Sequence, residues 1–92
     1  MGIKRIRRAA REDHYQFSSH ALEEMDEDSL TEEDVRWVIL HGAVVAELTD
    51  DPRGIRFVVR GKPEQDDDDV EVVCRFLPSG MLRIITVYVP GE

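Results

Sequence analysis

The hydrophobic period of this chain changes once, at Gly42, and that switch constrains the fold more than any other feature. Before it, apolar residues recur at helical spacing; after it, they alternate. Ile3, Ile6 and Ala10 mark one side of a helix predicted from Ile3 to about Glu12. Tyr15 to Phe17 reads as a short extended piece. Ser18 reads as the N-cap of a second helix with Leu22 and Met25 on its apolar side. Thr31 opens a third with a capping box, Asp34 standing where Glu is usual, and Val35, Val38 and Ile39 form its buried stripe. His41 and Gly42 end it. Four strands follow, at Val44–Leu48, Ile55–Arg60, Val70–Leu77 and Met81–Val89. Turns at Asp50–Gly54 and Pro78–Gly80 and a polar loop from Gly61 to Asp69 separate them. Short connections join antiparallel neighbours. The expected class is therefore α+β, with two or three N-terminal helices packed on one face of a four-stranded antiparallel sheet. Residues 1–92 read as one domain: a basic N-terminal helix at 1–13, paired helices at 18–42 and the sheet at 43–90.

Size and composition narrow the classes. A chain of 92 residues and 10.6 kDa should expose about 5,500 Å² when folded, enough for one core. No apolar run approaches the ~20 residues that cross a bilayer, so no membrane partner is expected. The charged N-terminus lacks the apolar stretch of a secretory signal. A single cysteine, Cys74, excludes an internal disulfide framework and fits a reducing cytoplasm. His14, His20, His41 and Cys74 lack zinc-ligand spacing, and Asp66–Asp69 resembles no complete calcium loop. No metal or other cofactor is expected.

The net charge of −8 argues against a nucleic-acid partner, but the charges come in blocks. Residues 1–11 hold five bases and no acid; residues 12–38 hold ten acids and one base, Arg36. Arg53, Arg56, Arg60 and Lys62 form a second basic block, and Asp66–Asp69 lie in an acidic loop. The total therefore describes no single face.

Alternation divides the sheet into two unlike faces. Ile55, Phe57 and Val59 of the second strand and Val70, Val72, Cys74 and Phe76 of the third should meet the helices. Arg56, Arg60, Glu71 and Arg75 then fall on an open face with Val58 and Val73. Periodicity leaves the last strand open: the uncovered face takes either Thr86 and Tyr88 or Arg83. An ordinary solvated face with cross-strand Arg–Glu pairs has the same pattern.

Two stretches resemble a known family. Phe17-Ser18-Ser19-His20-Ala21-Leu22-Glu23-Glu24-Met25 and Leu30-Thr31-Glu32-Glu33-Asp34-Val35 are similar to a bacterial domain-of-unknown-function family. That family carries a His-Ala-x-Glu-Arg-Met motif, then Ile-Ser-x-Glu-Asp-Val, and ends in a strand like Ile85-Thr86-Val87-Tyr88. The resemblance spans roughly Tyr15 to Pro90. It implies a fold similar to the RelE and barnase-like ribonuclease toxins of toxin–antitoxin systems. This chain departs from the pattern at Glu24 and Asp28, where arginines are usual, at Ser29, where glycine is, and at Glu71, where histidine is common.

The resemblance implies a metal-independent ribonuclease. Such cleavage needs a base for the 2′-hydroxyl, an acid for the leaving oxygen and cations for the phosphate. The candidate catalytic residues are His20, Glu71, Thr86 and Tyr88; the candidate phosphate clamps are Arg56, Arg60 and Arg75. Each also has a structural reading: His20 at a helix start, Thr86 and Tyr88 as strand formers, Glu71 as an ion-pair partner. RNA and an antitoxin or other protein are the partners this implies. The replaced arginines point to the alternative, a non-catalytic protein-binding module on the same fold.

Overall fold

The computed structural model describes residues 2–91. The elements, in chain order, are α1 (Gly2–Arg11), β1 (Tyr15–Phe17), α2 (Ser19–Glu27), α3 (Glu32–His41), β2 (Ala43–Leu48), β3 (Arg56–Gly61), β4 (Val70–Phe76) and β5 (Leu82–Tyr88). The class is α+β, with three helices. The exposed surface is 5618 Å², and no helix is long and apolar enough to cross a membrane.

The sheet corrects the expectation of four antiparallel strands. It has five, in the order β1-β5-β4-β3-β2, and β1 runs parallel to β5. The extended piece Tyr15–Phe17 pairs with Leu82–Ile84. Three residues carry no readable period, and their partner lies at the far end of the chain. The join continues beyond the strand: Leu82 donates its amide to His14 O at 3.1 Å, and Ser18 donates to Ile84 O at 2.9 Å.

Both predicted helix starts are present. Ser18 Oγ accepts the amide of Ala21 at 3.0 Å. Thr31 and Asp34 exchange both bonds of a capping box, at 2.9 and 3.1 Å. Helix α2 buries Ala21 and Met25, while Leu22 is exposed, which corrects its predicted apolar side. The pair i, i+4 forms the stripe because α2 packs against β5. Helix α3 ends at Gly42 in extended backbone, with no need for a left-handed cap. Glycine is required there by close approach: a Cβ would come within 2.5 Å of Arg60 O and 2.6 Å of Val38 O.

One apolar cluster joins the helices to the sheet. Ile6, Ala10, Val35, Val38 and Ile39 meet Val59, Val72, Cys74, Leu82, Ile84 and Val87, all fully buried. Phe57 and Phe76 pack against it as expected. Ile55 does not; it precedes β3 and is exposed.

Candidate functional site

The face of the sheet turned away from this core presents its side chains in rows, set by the strand registers. One row is Arg60 opposite Glu71 opposite Tyr88. The next is Val58, Val73 and Thr86. In the third, Arg75 stands opposite Arg83, itself opposite Gln16 of β1. Continuing the β3–β4 register by one residue places Arg56 beside Arg75. Val58 and Val73 are nearly buried although no helix covers this face. The long stems of the neighbouring arginines can shield them while their charged heads stay in water.

The last strand resolves the question its alternation left open. The β4–β5 register shifts between Val73 and Cys74, leaving Ile85 as the extra residue of a β-bulge. Leu82 and Ile84 point to the core before the bulge and Val87 after it. Arg83, Thr86 and Tyr88 therefore all reach the open face, where strict alternation allows only one set. Ser18 holds the bulge: its hydroxyl donates to Ile85 O at 2.8 Å while the same oxygen caps α2.

The first row is a connected chain of polar groups. Tyr88 Oη donates to Glu71 Oε1. Glu71 Oε2 accepts from Arg60 Nη1 at 3.4 Å. Arg60 also pairs with Asp69 at 3.0 Å, and Lys62 holds the other oxygen of Asp69 at 2.7 Å. The hydrogen bond to Glu71 raises the Tyr88 phenol above its ordinary value; burial and the carboxylate charge add to this, and Arg60 opposes it. Tyr88 is thus a neutral hydroxyl at physiological pH. Lys62 first, then Arg60, hold the Asp69 carboxyl below its ordinary range.

The third row is charged differently at each position. Arg56 meets Asp50 at 3.0 Å and Asp51 at 3.7 Å, so its charge is answered within the chain. Arg83 bonds the amide oxygen of Gln16 at 3.1 Å. Among the described residues, neither Arg75 nor Arg83 has a carboxylate within ion-pairing distance. Two directly opposed arginines repel each other, and a bound anion would relieve that.

His20 lies off the face, at the edge of β5 that the short β1 leaves uncovered. Its Nε2 is 3.3 Å from Glu24 Oε1, and that oxygen accepts the amide of Val87 at 3.0 Å. Of the predicted residues, the structure brings Arg60, Glu71 and Tyr88 into contact. It sets Thr86, Arg75 and Arg56 on the same face and ties His20 to the backbone between Thr86 and Tyr88. Two residues escaped sequence reasoning as parts of this site. Glu24 bonds the β5 edge, and Gln16 orients Arg83. Glu24 was marked in the sequence only as an acid where the resemblance expects arginine; Gln16 carried no signal, because β1 was not read as part of the sheet. Cys74 takes no part: burial pushes its thiol up to about 12, and it lies on the core face. Among the described residues, no three His, Cys, Asp or Glu side chains gather as a metal site.

Residues 17–89 match a protein family described as Domain of unknown function (DUF4258). The chain belongs to this family. The DUF4258 match takes in α2, α3 and β2–β5, and so every residue of the open face except Gln16; α1 precedes it. No curated protein and no solved structure matches the chain. Within the DUF4258 domain, positions 24 and 29 have defined structural roles. Glu24 serves the β5 edge. Ser29 has a left-handed backbone with φ 56°. It closes α2 in a Schellman motif, with Leu30 N donating to Met25 O at 2.8 Å and Ser29 N to Asp26 O at 3.2 Å.

Proposed function

We propose that this DUF4258 domain is a toxin-like endoribonuclease that cuts RNA without a metal, using the open sheet face as its site. The observation that carries the reading is the chain Arg60–Glu71–Tyr88 on an uncovered face, with the uncompensated Arg75 and Arg83 two rows along the same strands, four residues from Glu71 and five from Tyr88. A carboxylate held beside a neutral hydroxyl, with two arginines about 13 Å along the strand, offers the base and the cations that the cleavage needs.

In the proposed reaction Glu71 accepts the proton of a ribose 2′-hydroxyl. The 2′-oxygen attacks the adjacent phosphorus, the bond to the 5′-oxygen breaks, and His20 supplies that oxygen with a proton. The products are a 2′,3′-cyclic phosphate and a 5′-hydroxyl. Arg75 and Arg83 hold the phosphate and offset the charge that builds on it, with Arg60 steadying Glu71. Arg56 contributes less, because Asp50 and Asp51 already answer it. Thr86 offers its hydroxyl to the sugar and phosphate; the Tyr88 hydroxyl orients Glu71, and its ring offers a face on which a base can stack.

A second reading has its own support. Arg56, Arg60 and Lys62 are all paired with the chain's own acids, as on a surface that meets an antitoxin or another protein and not a phosphate chain. Induction in a bacterial host separates the two. The ribonuclease predicts growth arrest with RNA breakdown, abolished by His20→Ala and Glu71→Gln; intact RNA with normal growth favours the protein-binding module.

A further inference from the structure

The cations of α1 are less compensated than those of β3. Lys4, Arg5, Arg8 and Arg11 are exposed, and helical spacing sets them on one side, away from the buried Ile6, Ala9 and Ala10. Among the described residues only Arg8 of these four has a carboxylate within ion-pairing distance, Glu12 at 3.3 Å. The Arg5 guanidinium lies over the Phe76 ring, 3.7 Å from its centroid, which limits its freedom before any ligand arrives. Beside it opens a cleft of about 260 Å³ lined by Arg5, Arg8, Glu12, His14, Phe76 and Gly80. Helix α1 lies outside the matched family residues 17–89.

We infer that the outer face of α1 is a phosphate-docking surface for single-stranded RNA, from which the strand passes round the β4–β5 turn to the sheet site. Two observations favour RNA over an acidic protein. A protein interface needs a desolvated apolar centre, and the apolar residues of this helix face inward. A phosphate chain needs only cations, its affinity coming from released counterions. Three of the four cations are arginines, whose planar fork suits phosphate. Position supports the same partner. Phe76, under Arg5, is the chain neighbour of Arg75 but points to the opposite face of the sheet, so a strand docked in the cleft reaches the Arg75–Arg83 pair by passing round the β4–β5 turn, which the cleft borders at Gly80. The net charge of −8 is no bar, since fields between exposed charges fade within about 8 Å at physiological salt.

The inference rests on the proposed RNA site for the identity of the ligand, and its test separates the two. Binding of a single-stranded 2′-O-methyl RNA, which cannot be cut by this route, is followed by anisotropy as salt rises from about 50 to 200 mM. Arg5→Gln/Arg8→Gln/Arg11→Gln should weaken binding ~100-fold near 0.1 M salt and flatten the log–log slope by about 2, as for three lost contacts. Lys4→Gln/Arg8→Gln/Arg11→Gln keeps Arg5 on Phe76 and should flatten the slope equally, which guards against a packing effect. Unchanged slopes in both variants would overturn the inference. So would an intact chain that binds no RNA, or that binds polyglutamate as tightly. Cleavage by Glu71→Gln is scored separately. If the α1 variants lose binding while Glu71→Gln still cuts at full rate, the docking face stands and the sheet site falls.

Discussion

The Tyr88 hydroxyl donates to the Glu71 carboxylate across the β4–β5 ladder, on the face that no helix covers. The bond fixes one carboxylate oxygen while Arg60 addresses the other. It also has a titration signature. Glu71 raises the Tyr88 phenol above its ordinary value near 10, so the folded state binds this proton more tightly than the unfolded chain. The associated stability is present below about pH 10 and lost as pH rises through the folded value. In Glu71→Gln the Tyr88 phenolate should form at lower pH, read as ultraviolet absorbance against Tyr15. An unmoved midpoint would mean the bond does not persist in solution.

Ser18 serves two masters, the α2 amide of Ala21 and the bulge carbonyl of Ile85. Ser18→Ala should cost about 1–3 kcal/mol in urea unfolding, from the lost cap and the orphaned carbonyl. Because the bulge turns Thr86 and Tyr88 outward, the same variant should lose activity beyond its loss of stability. Full activity in the folded variant would show that the bulge holds without Ser18.

Ser29 sits in the left-handed region at φ 56°, where a side chain is strained and glycine is not. Ser29→Gly should stabilise the chain by about 0.5–1 kcal/mol, the relief of strain being partly offset by glycine's greater unfolded-state freedom. Thermal unfolding checks this, and a lower midpoint would contradict it.

The β2–β3 turn should be sensitive to acid. Asp51 accepts the Arg53 side chain at 3.1 Å and the Arg53 amide at 2.9 Å, which hold its carboxyl down to about 2 from 3.8. A carboxyl depressed on folding stabilises above its unfolded value, and that contribution is lost as pH falls through its folded one. Thermal midpoints should therefore drop between about pH 4 and pH 2, and drop less in Asp51→Asn. Equal drops in both would place the acid sensitivity elsewhere.

Local chemistry was legible in the sequence and long-range pairing was not. The caps at Ser18 and Thr31 were readable because their partners lie three residues away. The core faces of β3 and β4 were readable because both strands alternate without interruption. Strand β1 escaped as a sheet member because its partner is far along the chain, as the Gln16–Arg83 bond shows. The exposed face of β5 stayed open because the bulge at Ile85 leaves no mark on composition. Of the candidate site, Arg60, Glu71 and Tyr88 were named as separate residues; only the registers make them neighbours. Glu24 was read as a lost cation, and its bond to Val87 N needed the fold to be seen.

Cleavage of RNA by the purified chain at low salt, with Glu71→Gln alongside, tests the central claim most directly. The account predicts fragments ending in 2′,3′-cyclic phosphate, formed with a metal chelator present and slowed roughly 10²–10⁴-fold by the substitution. Uncut RNA with the intact chain, or equal cutting by both proteins, would contradict it.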